Sequence, residues 1–333
     1  MQSVDLSLKA PCALAATSDM LDRSIGIVVC IPTFRRPQHL QLTLESLMRQ
    51  RTTRRFAVVI VENEATMRQG ASVAAAFLKT GNVPGICIVE PRQGNCYAIN
   101  AAFETALANF ASASHFLMID DDEIASVDWL ERMVDAADTT GVDLVGGPVL
   151  PRFSDALLAR LEHHPAFCPA YQKSGPVPVI YGCGNCLISR AVFEKLDDPT
   201  FDLRFNFLGG GDTDFFTRCR RAGMSFHWAA DAIITETVPE SRTRSSWLAL
   251  RGLRIGAINY RVELKAARTV WLRTRLLAKM LALFPLSLYR AARLYVMQRQ
   301  AIIAMHPIAV ATGGALAAIG VEPQPYKASK ITS

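Results

Sequence analysis

Four uninterrupted apolar runs in the first third of the chain constrain the fold more than any other feature. They cover residues 25–31, 56–61, 85–89 and 115–119. Such runs are typical of parallel strands covered on both faces. Helical spacing of apolar residues predicts helices between them, at 37–50, 68–79 and 95–109. Strand and helix therefore alternate, which predicts a doubly wound α/β sheet with its ligands beyond the carboxyl ends of the strands.

Polar residues collect directly after each of these predicted strands. The loops are Pro32-Thr33-Phe34-Arg35, Glu62-Asn63-Glu64, Pro91-Arg92-Gln93-Gly94-Asn95 and Asp120-Asp121-Asp122-Glu123. Backbone amides and arginines in such loops suit phosphates, and an acidic group suits a ribose or a base. The four loops together predict one binding crevice, although polar strand-to-helix loops occur in any α/β protein.

The four consecutive carboxylates at 120–123 are the most distinctive of these loops. Like charges this close raise one another's pKa and repel. A divalent cation offsets that repulsion, and an oxygen-rich site of this kind suits Mg²⁺ or Mn²⁺. The alternative is an acidic turn in which Asp122 or Ser126 caps a helix that begins near Trp129.

A second acidic motif, Gly209-Gly-Gly-Asp212-Thr-Asp214, opens a predicted helix at 215–222. Asp212 at a helix start caps the helix, projects into a cleft as a general base for a hydroxyl nucleophile, or does both. Gly184 and Asn185 precede a further predicted helix at 189–195. They either line an acceptor pocket or form a tight turn.

These motifs, taken in order, resemble those of family 2 glycosyltransferases. The resemblance rests on the segments 31–37, 61–64, 92–100, 120–123, 182–185 and 210–214, and spans roughly residues 25–260. It is closest to bacterial members that build exopolysaccharides of the succinoglycan type. It implies a GT-A fold, a nucleotide-sugar donor with Mn²⁺ or Mg²⁺, and inversion at the anomeric carbon.

The resemblance also implies roles for individual residues. It places Pro32, Thr33, Arg35, Glu62, Arg92, Gly94, Asn100, Asp120 and Asp121 at the nucleotide-sugar, Gly184, Asn185 and Asp214 at the acceptor, Asp120 and Asp122 at the metal, and Asp212 as the catalytic base. Glu62 stands where the family usually has an aspartate. Gly211 and Phe34 replace a common glutamate and a common tyrosine. Arg242 and Arg244 either clamp the leaving diphosphate or are solvated.

The C-terminal third carries the positive charge of the chain. Residues 241–300 contain 13 Lys or Arg against the single acid Glu263. Within 254–300 the basic residues recur at helical spacing among apolar ones, which predicts a basic amphipathic helix, kinked at Pro285, at an anionic membrane surface. A helix packed on the catalytic domain with a solvated basic face is the alternative. No nucleic-acid reader module accompanies the charge, so we expect no nucleic-acid partner.

Residues 301–320 are apolar but are interrupted at His306-Pro307. They barely reach the length of a membrane-spanning helix, so the alternatives are a single span, shallow membrane contact or packing against the protein. We predict a weakly ordered leader at 1–24, a catalytic domain at 25–240 with halves 25–125 and 126–240, a membrane-associating region at 241–320 and a tail at 321–333.

Compartment and function follow from these expectations. The eight scattered cysteines suggest no disulfide framework, and the N-terminus does not read as a secretory signal, so we expect a cytoplasmic protein on the inner face of a bacterial inner membrane. The predicted function is metal-dependent, inverting transfer of a sugar from a UDP-sugar to a lipid-linked or glycan acceptor. A catalytically silent nucleotide-sugar-binding scaffold and a nucleotidyltransferase are the rival interpretations.

Overall fold

The computed structural model describes residues 10–17 and 22–323. Its contacts divide them into two compact units. The sheet unit comprises the chain up to Val149, Ala170–Leu203 and Arg218–Glu236. The helical unit comprises Leu150–Pro169, Arg204–Thr217 and the chain from Thr237 onward. Most of the predicted leader and of the predicted tail lies outside the described residues.

Twelve strands occur in the described residues. They are β1 (Cys12–Ala16), β2 (Ile27–Thr33), β3 (Phe56–Glu62), β4 (Gly85–Val89), β5 (His115–Met118), β6 (Glu123–Ala125), β7 (Leu144–Gly146), β8 (Val149–Phe153), β9 (Gly175–Pro176), β10 (Cys186–Ser189), β11 (Phe226–Trp228) and β12 (Ile234–Val238). Within the same residues nine of them form one sheet in the order β1-β4-β3-β2-β5-β10-β7-β11-β9. The predicted mixed α/β sheet is therefore confirmed.

The four apolar runs form the parallel centre of this sheet as β2, β3, β4 and β5. Every residue of β2 is buried, because helices cover both faces of the sheet. The α-helices of the described part of the chain are α1 (Pro37–Met48), α2 (Gln69–Leu78), α3 (Asn95–Asn109), α4 (Trp129–Thr140), α5 (Arg190–Lys195), α6 (Gly211–Arg221), α7 (Glu240–Thr243), α8 (Ser245–Ala266), α9 (Val270–Gln298), α10 (Ala301–Ala304) and α11 (His306–Ala318).

Two parts of the sheet differ from the sequence prediction. Residues Cys12–Ala16, placed in a weakly ordered leader, instead form β1 and pair antiparallel with β4. Strand β10 lies antiparallel between β5 and β7. Its residue Cys186 pairs with both Met118 and Gly146, and Trp228 of β11 pairs with Gly146. These four residues form one row at the carboxyl end of β5.

In the helical unit, α8 and α11 cross at backbone contact. A β-carbon built on Gly256 would lie 1.9 Å from the carbonyl oxygen of Val310, and one on Gly313 would lie 1.9 Å from that of Leu253. Only glycine permits so close a crossing, as in other helix pairs that meet through small residues. The predicted single basic helix is two helices, because the chain leaves helical geometry at 267–269 between α8 and α9. Pro285 lies inside α9.

Within the described residues, only the segment Ala301–Ala318 is both long and apolar enough to cross a membrane by those two criteria. One third of it is buried inside the protein. The glycine contact with α8 accounts for part of that burial.

Candidate active site

The acidic loop after β5 is joined to the loop after β2, as the sequence predicted. Asp121 is buried, and its carboxylate accepts a hydrogen bond of 2.8 Å from the Thr33 hydroxyl and one of 3.3 Å from the Phe34 backbone N–H. The Thr43 hydroxyl of α1 donates to the backbone carbonyls of Asp121 and Glu123. Pro32 is buried in β2 directly before Thr33. These contacts fix the acidic loop at the edge of the sheet.

Arg36, which no sequence motif singled out, is a cation that faces this loop. Its Nη1 lies 2.6 Å from Asp122 Oδ2 and 3.2 Å from Asp121 Oδ1. Arg35 adopts a left-handed φ of 56°, and its side chain is two-thirds exposed and 3.9 Å from Glu64. Arg35 and Arg36 are adjacent in the sequence. Because the backbone turns at Arg35, the side chain of Arg36 reaches the carboxylates of this loop and that of Arg35 does not.

The acidic loop still carries more negative charge than Arg36 offsets. Burial, followed by repulsion from Asp122, Asp121 and Glu236, raises the pKa of Asp120 above that of an ordinary aspartate. Burial and the nearby Asp120 also raise the pKa of Glu123, whose carboxylate accepts the Asp120 backbone N–H at 2.8 Å. Glu236 of β12 is a further acid that sequence spacing did not reveal.

The donor atoms of this loop suit a divalent metal ion only in part. Asp120 and Asp122 supply the carboxylate oxygens that Mg²⁺ and Mn²⁺ prefer, in surroundings whose excess negative charge favours a cation. No group of three potential protein ligands gathers among the residues that the structure describes. The set therefore fits a metal whose coordination is completed by substrate phosphates and water, as is usual for Mg²⁺.

Glu62, predicted to contact the nucleotide base, is hydrogen-bonded within the protein. Its carboxylate is fully buried and accepts the backbone N–H groups of Glu64 at 3.0 Å and Ala71 at 3.1 Å. A β-carbon on Gly70 would lie 2.8 Å from Glu62 Oε2. Burial raises the pKa of Glu62. The side chain therefore anchors the start of α2, and contact between Glu62 and a nucleotide base stays a prediction.

The loop after β4 retains two predicted residues at its surface. Arg92 is half exposed, forms a 2.7 Å ion pair with Glu90 and lies over the Tyr97 ring. Gly94 has a φ of 137°, which favours glycine, and its N–H donates to Asn63 Oδ1 at 2.7 Å. Asn100 differs from its prediction, since its amide exchanges two hydrogen bonds with the Phe201 backbone and ties α3 to that segment.

The predicted acceptor residues Gly184 and Asn185 have separate roles. A β-carbon on Gly184 would lie 2.5 Å from Glu123 Oε1, so this backbone rests directly against the acidic loop. Asn185 is buried; its amide donates to the carbonyls of Pro148 and Ala232 and accepts from Trp129 Nε1 at 2.8 Å. Its polar atoms all bond within the protein, and its assignment to an acceptor pocket stays a prediction.

The helical unit holds the remaining predicted residues. Asp212 lies partly exposed in the first turn of α6. Asp214 is 1% exposed and pairs with Lys265 of α8 at 2.8 Å, and its contact with an acceptor stays a prediction. Arg242 lies in α7, and Arg244 is the residue before α8.

The mixed sheet has the fold of GT-A-type proteins, and the family models make the chain a glycosyltransferase. Residues 28–197 match the model of Glycosyl transferase family 2, and residues 115–317 match that of Glycosyl transferase family group 2. The chain belongs to glycosyltransferase family 2.

Two curated proteins are similar to this chain in sequence. The chain is 31% identical over 260 residues to the succinoglycan biosynthesis protein ExoM of Rhizobium meliloti, covering 76% of this chain and 81% of that protein. It is 25% identical over 208 residues to the glycosyltransferase AglE of Haloferax volcanii, covering 62% of this chain and 65% of that protein.

The structural likeness extends to more distant proteins. The mannosyltransferase PcManGT of Pyrobaculum calidifontis, solved with GDP-Man and Mn²⁺, has a TM-score of 0.56 at 18% identity and covers 87% of each chain. S. aureus TarS 1-349, solved with UDP-GlcNAc, has a TM-score of 0.51 at 12% identity, with 89% of this chain and 92% of that one covered. At these identities the likeness concerns the fold.

Proposed function

We propose that this glycosyltransferase moves a sugar from a nucleotide-sugar, for which a UDP-sugar is our first candidate, to a hydroxyl of a lipid-linked or glycan acceptor during cell-surface polysaccharide synthesis. The observation that carries the proposal is the cluster of buried acids at the end of β5, where burial and mutual repulsion raise the pKa values of Asp120 and Glu123. Similarity to a succinoglycan biosynthesis protein supports the polysaccharide setting. Solved complexes of fold relatives with GDP-Man and UDP-GlcNAc support an activated sugar as donor.

In this proposal Asp120 and Asp122 hold Mn²⁺ or Mg²⁺ beside the donor. The ion, when bound, supplies Lewis-acid stabilisation of the charge that develops on the leaving diphosphate. Thr33, the backbone of Phe34 and Arg36 keep the acidic loop in place. Arg35 and Arg92 are exposed enough to meet phosphate oxygens.

The proposed reaction is a single in-line displacement that inverts the anomeric carbon. Asp212 accepts the proton of the acceptor hydroxyl while that oxygen forms a bond to the anomeric carbon. The bond between the anomeric carbon and the phosphate oxygen breaks, and its electron pair leaves with the nucleoside diphosphate. A general base of this kind contributes about 10²- to 10⁴-fold to the rate. Arg242 and Arg244 are proposed to pair with the departing diphosphate.

We further propose that the protein works at the cytoplasmic face of the membrane through α9. Leu281, Leu288 and Tyr295 recur every seven residues and are 73%, 59% and 50% exposed, so one face of α9 is uncovered and apolar. Trp271 is also exposed there, and Arg275, Arg290 and Arg293 are exposed on the same helix. An exposed apolar face with neighbouring arginines suits an anionic bilayer.

The sequence predicts a membrane-contacting surface over residues 254–300, and this arrangement leaves fewer of those residues free for such a contact. Lys265 of α8 pairs with Asp214, and Arg261 of α8 pairs with Glu322, so these basic residues serve contacts within the protein. The proposal therefore assigns the membrane contact to α9, with α11 as a helix packed on α8.

The purified full-length protein and its Asp212→Asn variant test the transferase proposal. We expect the wild type to release nucleoside diphosphate from one member of a panel of UDP-glucose, UDP-galactose, UDP-N-acetylglucosamine and GDP-mannose, and to do so faster with Mn²⁺. The variant should lose about 10²- to 10⁴-fold in turnover while its donor Kd is unchanged. Asp231→Asn, at an exposed surface ion pair, is the matched control. Equal turnover in Asp212→Asn would show that Asp212 is not the base, and donor binding without turnover in the wild type would favour a binding scaffold.

A further inference from the structure

Three aromatic side chains of the sheet unit, Tyr171, Tyr181 and Trp228, form a cluster that the proposed chemistry does not use. The Tyr171 ring packs edge-on against Trp228, with ring centroids 5.4 Å apart. The Tyr171 ring also lies beside the Tyr181 ring, with centroids 6.5 Å apart and an interplanar angle of 31°. The Tyr171 hydroxyl donates to the carbonyl of Val179 at 2.7 Å. Trp228 is 2% exposed and Tyr181 is 55% exposed, so the cluster runs from the core to the surface.

The cluster lies toward the same edge of the sheet as the acidic loop. Trp228 belongs to the row Met118, Cys186, Gly146 and Trp228, in which each residue pairs with the next. Three strand spacings separate the ends of that row, or about 14 Å. Asp120 follows Met118 by two residues. Trp228, at the buried end of the cluster, therefore lies within the length of a short oligosaccharide from the acidic loop.

Chain connectivity brings Tyr181 close to the acidic loop as well. Gly184, whose backbone rests against the Glu123 carboxylate, is three residues further along. Three residues span at most about 11 Å, which limits the distance between the Cα atoms of Tyr181 and Gly184. Gly182 has a φ of 79°, a left-handed conformation that favours glycine in this turn.

We propose that Tyr181, supported by Tyr171, is a platform on which a sugar ring of the acceptor stacks, an inference that rests on the proposed function. A pyranose ring presents an apolar C–H face inside a rim of hydroxyls. An exposed aromatic ring complements that face, and aromatic rings are common linings of small-molecule sites. The Tyr171 ring lies beside Tyr181 at 6.5 Å, and this neighbour reduces the side-chain freedom that Tyr181 has to lose on binding. The platform binds a cyclic saccharide and does not affect binding of the donor.

Ligand-detected saturation-transfer NMR with methyl β-cellobioside and the full-length protein tests the platform directly. We expect saturation to pass from aromatic protons of the protein to the sugar ring protons in the wild type and in Tyr181→Phe. Tyr181→Ala should abolish it, because the ring is removed from a half-exposed position without disturbing the core. Tyr289→Ala removes another exposed tyrosine, on α9, and should leave the transfer unchanged. No transfer in the wild type, or equal transfer in Tyr181→Ala, overturns the proposal.

Failure of the platform and failure of the transferase proposal are distinguishable. If nucleotide release depends on Asp212 but sugar binding is the same with and without the Tyr181 ring, only the platform proposal is rejected. Sugar binding that depends on Tyr181, without nucleotide release from any donor, removes the transferase reaction and retains a saccharide site. With transfer established, Tyr181→Ala should raise the KM for methyl β-cellobioside roughly three- to tenfold and leave the KM for the donor unchanged.

Discussion

Arg36 Nη1 lies 2.6 Å from Asp122 Oδ2, and so a side-chain cation already occupies the acidic edge at which we propose a metal ion. The Arg36 side chain is 42% exposed, whereas the Asp122 side chain is 12% exposed. Arg36 can therefore swing into solvent more easily than the carboxylate can. The pair implies competition between Arg36 and a divalent cation for Asp122.

Arg36→Gln should strengthen Mn²⁺ binding measured without any nucleotide-sugar. Removal of the positive charge leaves the carboxylates with less compensation, so we expect roughly tenfold tighter binding by isothermal titration calorimetry. The same variant should lose about 1 kcal/mol of unfolding free energy in the absence of metal, since the pair is partly exposed. Arg55→Gln, which removes a surface ion pair with Asp22, should change neither the affinity nor its metal dependence. Weaker Mn²⁺ binding by Arg36→Gln would show that Arg36 supports the ion rather than competes with it.

Asn185→Ala should destabilise the protein rather than weaken acceptor binding. The change leaves Trp129 Nε1 and the carbonyls of Pro148 and Ala232 without their buried partner. Unsatisfied buried polar groups cost about 1–3 kcal/mol each, so we expect a loss of about 3 kcal/mol in urea unfolding. Asn82→Ala, at an exposed position, is the control. Normal stability combined with a raised acceptor KM would return Asn185 to the acceptor pocket.

The contrast between Asp121 and Asn185 shows what the sequence could predict. Apolar runs determine the central strands, and the carboxyl ends of parallel strands share an edge, so Thr33 and Asp121 were predicted to be neighbours and are hydrogen-bonded. Motif position alone could not distinguish a side chain that faces a cleft from one that bonds inward. Asn100, Asn185, Glu62 and Asp214 all bond inward. Their partners lie on segments remote in sequence or on backbone N–H groups, which no local pattern identifies.

The antiparallel strand β10 was missed for a similar reason. Cys186–Ser189 is only four residues long, and its pairing with β5 and β7 joins segments that are far apart in sequence. Short strands are defined by their neighbours more than by their own composition. The same applies to Glu236 and Arg36, whose roles arise only when separate loops meet.

Acidification should destabilise the fold through His164. The imidazole is 1% exposed and its ring centroid lies 5.0 Å from that of His306. Burial and then the proximity of His306, opposed by a hydrogen bond to the Ile302 backbone, lower the pKa of His164 from 6.5 to about 4. Arg251 also lies close enough to affect His306. A histidine whose pKa is lower in the folded state binds its proton more readily when unfolded.

Above about pH 6.5 His164 is neutral in both the folded and the unfolded chain, and its neutral form costs no stability. As the pH falls from 6.5 toward 4, the unfolded chain binds the proton first, and the free energy of unfolding decreases. The lowering of the His164 pKa from 6.5 to about 4 corresponds to about 3 kcal/mol of unfolding free energy. Urea unfolding at a series of pH values should show a steeper acid loss in the wild type than in His164→Asn, whose side-chain oxygen can still accept the Ala166 N–H. His163→Gln alters an exposed neighbour and should keep the wild-type slope. Identical slopes in wild type and His164→Asn would contradict this account.

The exposed face of α9 should bind anionic vesicles. Trp271, Leu281 and Leu288 are each more than half exposed, and Arg290 and Arg293 lie on the same helix. In co-sedimentation we expect the full-length protein to bind phosphatidylglycerol-containing vesicles and not pure phosphatidylcholine. The double variant Leu281→Glu, Leu288→Glu should lose that binding while keeping its fold, because both leucines are already in solvent.

The arginines and leucines of α9 should affect vesicle binding differently, which separates a membrane from a protein partner. Each arginine near an anionic surface contributes about 1 kcal/mol, so Arg290→Gln and Arg293→Gln should each weaken vesicle binding roughly fivefold and reduce its salt dependence. Leu250→Glu, at a 43% exposed position on α8, should have no effect. If the wild type were instead a dimer in solution that the α9 leucine variants convert to monomers, the face would be an interface between two copies of the chain. The membrane assignment would then be wrong, and the assignment of the acidic edge of the sheet would be unaffected.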